Sequence, residues 1–325
     1  MDHGQISGVP LPVARLILGT MILSSDRQDD ADQLLDDALN LGLTAFDLAH
    51  VYGGGGAERA MGSWLARRGV RDQVVLISKG AHPNGDRQRV TPYDIGSDLL
   101  DSLARLRVDR IDLYLLHRDD PRVPVGEIVE ALAEHQRAGR IGAYGGSNWT
   151  HERLEAANRY AASHGLPPLA ASSPNYGLAE QVEDPWGPGC VGLGGPAQAE
   201  ARAWYQTKQL PILAYSSLGR GFFSGRISRA TFEQQRDSID GACLRAYCHE
   251  VNFRRLDRVE AFAQQTGLTV PQVALRWVLS QPLNVFALVG AASRAEMEGL
   301  LPALARRLTP AESAWLDLAS DAQPF

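Results

Sequence analysis

Residues 44–53 read TAFDLAHVYG, and the interpretation of the whole chain starts from them. The apolar run over residues 44–49 is typical of a short buried strand. Asp47 lies near the end of this run, and His50 and Tyr52 follow it. We therefore expect the exit of the strand to bring a carboxylate, an imidazole and a phenol to one place.

Two later apolar runs also end on ionisable residues. The predicted strand over residues 74–79 ends at Lys79, and the one over residues 111–117 ends at His117. Three consecutive strands thus supply an aspartate, a tyrosine, a lysine and a histidine at the same kind of position. A structural ion pair would explain Asp47 and Lys79 alone, but four such groups at successive strand ends indicate a site.

The rest of the chain alternates strand and helix. Near-continuous apolar strands separated by helices predict a parallel sheet covered by helices. The predicted strands span residues 13–18, 44–49, 74–79, 111–117, 141–147, 169–175, 211–216 and 285–289. The predicted helices span residues 29–41, 56–68, 125–138, 151–164, 196–208, 253–265, 271–280, 293–304 and 310–319, and a further helix begins at residues 91–92.

Eight strand-then-helix units in this length favour a closed (β/α)₈ TIM barrel, with the active site at the carboxyl ends of its strands. We expect one domain over residues 1–325, with long Gly/Pro-rich loops after strands six (181–195) and seven (219–240). A doubly wound dinucleotide-binding sheet is the structural alternative, but no GxGxxG follows the first strand.

Composition limits the partners. A net charge of −6 and the lack of a Lys/Arg block argue against nucleic acid, so a small-molecule ligand is expected. The three cysteines form no CxxC motif and no HExxH is present, so we predict no disulfide framework and no metal. No signal peptide or membrane-spanning run is evident, which predicts a cytoplasmic protein without membrane association. The oligomeric state is left open.

The four groups suit one kind of chemistry. A tyrosine hydroxyl has a pKa near ~10, and a neighbouring ammonium favours its phenolate form. An aspartate would hold that ammonium, and a histidine beside the phenol would hydrogen-bond a substrate oxygen. Such a set can protonate an alkoxide as hydride reaches a carbonyl carbon. Because the chain has no redox centre of its own, a nicotinamide is the expected hydride donor.

Residues 46–53, FDLAHVYG, resemble the FDTAxxYG motif of the aldo-keto reductases, whose fold is the (β/α)₈ barrel. The resemblance implies a catalytic tetrad with Tyr52 as the proton donor and Lys79 as the group that tunes it. Asp47 would pair with Lys79, and His117 would orient the carbonyl.

Two further motifs imply cofactor contacts. Residues 139–148, GRIGAYGGSN, resemble GKIRxxGVSN of the family, in which Ser147 and Asn148 would bind the nicotinamide carboxamide. Residues 214–221, AYSSLGRG, resemble AYSPLGxG, in which the Tyr215 ring would stack under the nicotinamide. Arg220 and the backbone around it would hold the pyrophosphate. Other cofactor contacts implied by the resemblance are Gly19, Thr20, Met21, Asp47, Ser216, Leu218, Gly219, Gly221, Gly290 and Glu296.

The chain departs from the family pattern at two places. Many members carry a glutamine on strand six, where this chain has SSPNY over residues 172–176, and either Ser173 or Asn175 would replace it. After strand eight, Glu296 stands where a cation often grips the 2′-phosphate, although Ser293 and Arg294 are candidate ligands. NADP(H) is the cofactor that the resemblance implies, and NAD(H) is the alternative.

For the substrate we expect an aldehyde or ketone, and the polar loops favour a sugar- or polyol-derived carbonyl. Trp149 and Trp186 are the candidate pocket residues beside Tyr52 and His117, while His50 is a core or a cavity-lining residue. The alternative function is a nicotinamide-binding, redox-sensing subunit of a partner, with little turnover.

Overall fold

The computed structural model describes residues 1–324, and its centre is a closed barrel of eight parallel strands. Each strand pairs with the next one along the chain, and the last closes onto the first, with Val289 opposite Leu18. The predicted (β/α)₈ TIM barrel is therefore confirmed. The strands are β1 (Leu16–Gly19), β2 (Ala45–Asp47), β3 (Val75–Gly80), β4 (Ile111–Leu116), β5 (Ile141–Ser147), β6 (Ala171–Ser173), β7 (Ile212–Ala214) and β8 (Val285–Val289).

Helices surround the barrel, and their ends follow local sequence signals. In α3, the Thr91 side chain accepts a hydrogen bond from the Asp94 amide and Pro92 occupies the first turn, as the sequence predicted. The helices are α1 (Gln28–Asn40), α2 (Gly56–Arg68), α3 (Pro92–Leu106), α4 (Val125–Arg137), α5 (His151–Ser163), α6 (Ala199–Lys208), α7 (Phe232–Gln235), α8 (Gly241–Tyr247), α9 (Glu250–Thr266), α10 (Val270–Leu279), α11 (Arg294–Leu300) and α12 (Pro310–Leu316). Within residues 1–324, every helix is too short or too polar to cross a membrane.

The strands are buried on both faces because alternate residues point to opposite sides. Ile77 and Leu113 belong to the apolar cluster inside the barrel, whereas Leu76 and Leu116 pack outward against the helices. This double burial explains the near-continuous apolar runs in the sequence. It also means that a charged residue inside a strand, such as Lys79, needs a specific partner.

A two-stranded antiparallel hairpin pairs His3–Gly4 with Val13–Ala14, at the floor of the barrel. Ile6, Val9 and Val13 join the inner apolar cluster. The sequence had predicted one strand over residues 13–18, but the structure divides that run between the hairpin and β1. The hairpin escaped prediction because strands of two residues carry no periodic pattern.

Long loops follow β6 and β7, as predicted, and both lie at the carboxyl ends of the strands. The second loop includes α7, and α8 follows directly after it. The Asp240 carboxylate begins α8 by accepting hydrogen bonds from the Ala242 and Cys243 amides. The sequence did not predict either of these short helices.

Candidate active site

A cavity of about 1190 Å³ opens at the carboxyl ends of the strands. Asp47, Tyr52, Lys79 and His117 line one end of it, which we call the tetrad end. Arg226, Glu296 and residues 269–272 line the other, which we call the distal end. The cavity wall also includes Gly19, Thr20, Met21, Ser147, Asn148, Tyr215, Ser216, Leu218, Arg220, Gly221 and Gly290, all expected from the sequence to contact a cofactor.

The Lys79 ammonium is the centre of the tetrad end. Its Nζ donates to both carboxylate oxygens of Asp47 at 2.6 Å and to the Leu48 carbonyl at 3.1 Å. The Tyr52 hydroxyl oxygen lies 3.3 Å from the same Nζ. The adjacent parallel strands β2 and β3 carry Asp47 and Lys79 and thereby fix this geometry.

Burial and charge act in opposite directions on these groups. Burial lowers the pKa of Lys79, but its interactions with Asp47 and Tyr52 raise it by more, so the pKa of Lys79 lies above its ordinary value. The pKa of Tyr52 is also raised, because burial outweighs the opposing effect of Lys79. The attraction that the sequence predicted is present, yet Tyr52 stays a neutral phenol that can give a proton.

His117 follows β4, and its ring centroid lies 5.9 Å from that of Tyr52. Its Nδ1 is buried without a hydrogen-bond partner, which leaves Nε2 as the nitrogen available to a ligand. Burial, assisted by the charges of Lys79 and Arg118, places the pKa of His117 well below its ordinary value. The imidazole is therefore neutral near pH 7 and suits hydrogen bonding to a substrate oxygen.

His50 turns away from the cavity. Its Nε2 lies 3.2 Å from an Asp101 carboxylate oxygen, and its carbonyl accepts a hydrogen bond from Arg105 at 2.9 Å. Of Asp47, His50 and Tyr52, only Asp47 and Tyr52 therefore line the cavity. Of the two predicted roles for His50, the structure supports the packing role.

The two candidate substrate tryptophans occupy different places. Trp149 is buried outside the cavity wall, and its Nε1 donates to the Arg118 carbonyl at 3.4 Å. Trp186 lines the cavity, with its ring centroid 5.9 Å from that of Tyr215. The Arg220 guanidinium lies 5.1 Å from the Trp186 ring centroid, a cation–π distance. Trp186 can reach a ligand, whereas Trp149 supports the strand end beneath it.

The Asn148 amide joins the tetrad end to β7. Its Oδ1 accepts hydrogen bonds from the Tyr215 hydroxyl at 2.7 Å and the Val191 amide at 3.1 Å. Its Nδ2 donates to the His117 carbonyl at 3.1 Å and to Ser147 Oγ at 3.2 Å. The predicted carboxamide-binding residues are thus already one hydrogen-bonded unit.

The backbone after β7 turns through left-handed conformations. Ser216, Gly219, Arg220 and Gly221 all have positive φ, between 50° and 94°. Three of them, residues 219–221, are consecutive, and backbone N–H groups exposed in a turn can bind phosphate oxygens. This turn and the Asn148 amide both border the cavity and could together hold a nicotinamide dinucleotide, although Gly219 itself is not part of the cavity wall.

Besides Gly219, four residues expected to contact the cofactor lie outside the cavity wall. Ser173 Oγ donates to the Leu213 carbonyl at 2.8 Å, and Asn175 Nδ2 donates to the Tyr247 hydroxyl at 2.7 Å. Neither side chain therefore lines the cavity, so the structure supports neither of them as the replacement for the family's glutamine. Ser293 caps α11, and Arg294 pairs with Glu298 at 2.8 Å.

Three cationic or ionisable residues of the cavity wall were not anticipated, namely His82, Arg118 and Arg226. His82 and Arg118 lie just past the ends of β3 and β4, which is the one sequence signal that could have found them. Arg226 lies within the long loop after β7 and pairs with Glu296 at 2.9 Å. No motif marks it.

Comparison with known proteins agrees with the fold. Residues 15–321 match the model of the Aldo/keto reductase family. The chain belongs to this family of oxidoreductases, whose members generally use nicotinamide cofactors and act on small-molecule carbonyl substrates. Residues 1–324 contain no cluster of three or more His, Cys, Asp or Glu side chains able to hold a metal ion.

Three relatives show the extent of the similarity. Aldo-keto reductase YhdN of Bacillus subtilis is 28% identical, over 92% of this chain and 88% of the relative. Protein tas of Escherichia coli is also 28% identical, over 99% of this chain and 95% of its own length. Aldo-keto reductase str7 of Strobilurus tenacellus is 30% identical, over 90% of this chain and 81% of its own.

Proposed function

We propose that this protein reversibly reduces an aldehyde or ketone, with Tyr52 as the proton donor. The observation that carries the proposal is the 3.3 Å distance between the Lys79 ammonium and the Tyr52 hydroxyl, beside a neutral His117. A nicotinamide bound in the cavity would supply the hydride. Side chains of this protein would bind the carbonyl, stabilise the developing charge and transfer the proton.

The carbonyl oxygen of the substrate would accept hydrogen bonds from the Tyr52 hydroxyl and from Nε2 of His117. Negative charge develops on that oxygen as the carbonyl carbon is reduced, and preorganised donors stabilise it. Tyr52 then gives its proton to the oxygen, and the Lys79 ammonium stabilises the phenolate that is left. Asp47 holds the ammonium in place through both carboxylate oxygens. The raised pKa keeps Tyr52 protonated, which is the form that the reductive direction requires.

Ser147, Asn148 and Tyr215 would hold the nicotinamide, and the positive-φ turn at residues 219–221 would hold the pyrophosphate. We propose NADPH as the preferred cofactor because Arg226 lies at the distal end, where a 2′-phosphate would need a cation. Its ion pair with Glu296 weakens that attraction, so NADH is the alternative. A sugar- or polyol-derived carbonyl is the substrate class that the sequence favours, and the cytoplasm is the location it predicts.

Two measurements test the proposal together. NADPH and NADH are titrated by quenching of protein fluorescence, and a panel of aldehydes and ketones is then screened with the tighter cofactor. We expect binding of at least one cofactor and turnover of at least one carbonyl. Tight cofactor binding without turnover of any carbonyl would favour the redox-sensing subunit, and failure of both cofactors to bind would contradict both functions.

A further inference from the structure

Arg118 is the one lysine or arginine of the cavity wall without a carboxylate within 4 Å among residues 1–324. It is only 8% exposed. An isolated buried charge is unfavourable unless it meets an opposite charge or strong acceptors. The other cations of the wall are all paired: Lys79 with Asp47 at 2.6 Å, Arg220 with Asp240 at 2.5 Å, and Arg226 with Glu296 at 2.9 Å.

The guanidinium of Arg118 uses few of its donors. Nη1 donates to the His117 carbonyl at 3.2 Å, and Nη2 contacts Cys190 Sγ at 3.5 Å. A thiol sulfur is a weak acceptor, and a guanidinium has five N–H groups. Several donors of a cation at the cavity wall thus remain for a ligand.

Nearby carboxylates do not compensate this charge, because they have other partners. Asp119 lies 3.0 Å from Arg153, and Asp120 lies 2.9 Å from Arg122. Both pairs follow Arg118 in sequence and hold the loop after β4 in place. Because these two carboxylates are already paired with other arginines, neither of them compensates the charge of Arg118.

The other groups around the tetrad end sum to almost no charge. Asp47 and Lys79 cancel one another. Burial lowers the pKa of His82 and of His117, so both imidazoles are neutral near pH 7. Burial raises the pKa of Tyr52, which keeps the phenol neutral. Arg118 is therefore the net positive charge where the carbonyl would lie.

We propose that Arg118 binds an anionic group, a carboxylate or a phosphate, carried by the carbonyl substrate close to its reacting carbon. The inference rests on the proposed function, since it takes Tyr52 and His117 as the groups that receive the carbonyl. A guanidinium can engage either anion through two parallel N–H donors, which fixes orientation as well as charge. The substrate class thus narrows to acidic or phosphorylated carbonyl compounds.

The test compares carbonyl compounds that differ in charge. Steady-state kcat/KM is measured with the tighter cofactor for succinic semialdehyde and methyl 4-oxobutanoate, and for glyceraldehyde 3-phosphate and glyceraldehyde. In at least one pair, we expect the anionic member to exceed its neutral partner by about tenfold or more. The pair that shows the preference distinguishes a carboxylate from a phosphate.

Substitutions then assign the preference to one side chain. Arg118→Met should bring the anionic-to-neutral ratio of kcat/KM close to one, a loss of about tenfold or more, and Arg118→Lys should retain part of the preference. Arg122→Met is the matched control, because Arg122 is 79% exposed on the same loop and pairs outward with Asp120. The control should keep the wild-type ratio.

Three results would overturn the proposal. Equal kcat/KM for both members of each pair in the wild-type protein would do so while the proposed function stands. An unchanged ratio in Arg118→Met with weakened cofactor binding would instead assign the guanidinium to the cofactor. Absence of turnover with every carbonyl would remove the proposed function and this inference together. If Arg118→Met does not fold, the wild-type ratios and Arg118→Lys decide the outcome.

Discussion

Lys79 lies 2.6 Å from both carboxylate oxygens of Asp47, and each of these two side chains is 3% to 4% exposed. Because burial of a lone charge is costly, each charge depends on the other for its place in the barrel. The same contact aims the ammonium at the Tyr52 hydroxyl. One ion pair thus serves both stability and the proposed chemistry, and the two roles can be separated.

Asp47→Asn and Lys79→Met should each reduce the free energy of unfolding by about 3 to 5 kcal/mol, since each leaves one buried charge unpaired. The double variant should recover much of that loss, because no unpaired charge remains. It should nevertheless stay inactive, because no ammonium then supports Tyr52. Urea unfolding and carbonyl turnover of the three variants check this, and recovery of turnover in the double variant would contradict it.

The pH dependence of reduction should show no histidine step. Reduction requires a neutral His117, whose pKa is well below its ordinary value, and a protonated Tyr52, whose pKa is raised. For an uncharged carbonyl, kcat/KM should be level between about pH 7 and pH 9 and fall only at higher pH, as Tyr52 loses its proton. An inflection near pH 6.5 that vanishes in His117→Gln would show that the imidazole titrates normally.

Cofactor preference should depend on Arg226 and not on Arg294. Arg226→Met should weaken NADPH relative to NADH by about tenfold, because it removes the cation of the distal end. Glu296→Gln should shift the ratio toward NADPH, since it frees Arg226 from its 2.9 Å ion pair.

Arg294→Met serves as the control for these cofactor variants. Its guanidinium pairs with Glu298 at 2.8 Å and with Asp37 at 3.4 Å, outside the cavity wall. The ratio of NADPH to NADH dissociation constants, measured by fluorescence quenching, checks all three variants. A larger change in Arg294→Met than in Arg226→Met would reverse the assignment.

Strong periodic patterns predicted the barrel closely. The strands at Ile141–Ser147 and Val285–Val289 and the helix at Gly56–Arg68 have the predicted bounds. In these segments, burial on both strand faces or a glycine helix stop leaves an unambiguous pattern. The hairpin at His3–Gly4 and the helix at Gly241–Tyr247 were not predicted, because short elements held by tertiary contacts leave little periodicity.

The tetrad could be predicted from sequence because its members stand at strand ends that the barrel brings together. Arg118, His82 and Arg226 could not, since their importance depends on which charges are paired in space. The side-chain directions of Ser173 and Asn175 were likewise beyond the sequence. A sequence pattern predicts the strand or helix on which a residue lies. Whether its side chain points into the cavity or packs against another element depends on neighbours from other parts of the chain.

The central claim is that the Tyr52 hydroxyl delivers the proton, and Tyr52→Phe tests it most directly. The substitution removes one oxygen and keeps the ring. Cofactor dissociation constants and single-turnover reduction rates are measured for wild type and variant with the same carbonyl. We predict a dissociation constant within about threefold of wild type and a loss of turnover of at least about 100-fold. Turnover that stays within a few-fold of wild type would contradict the account.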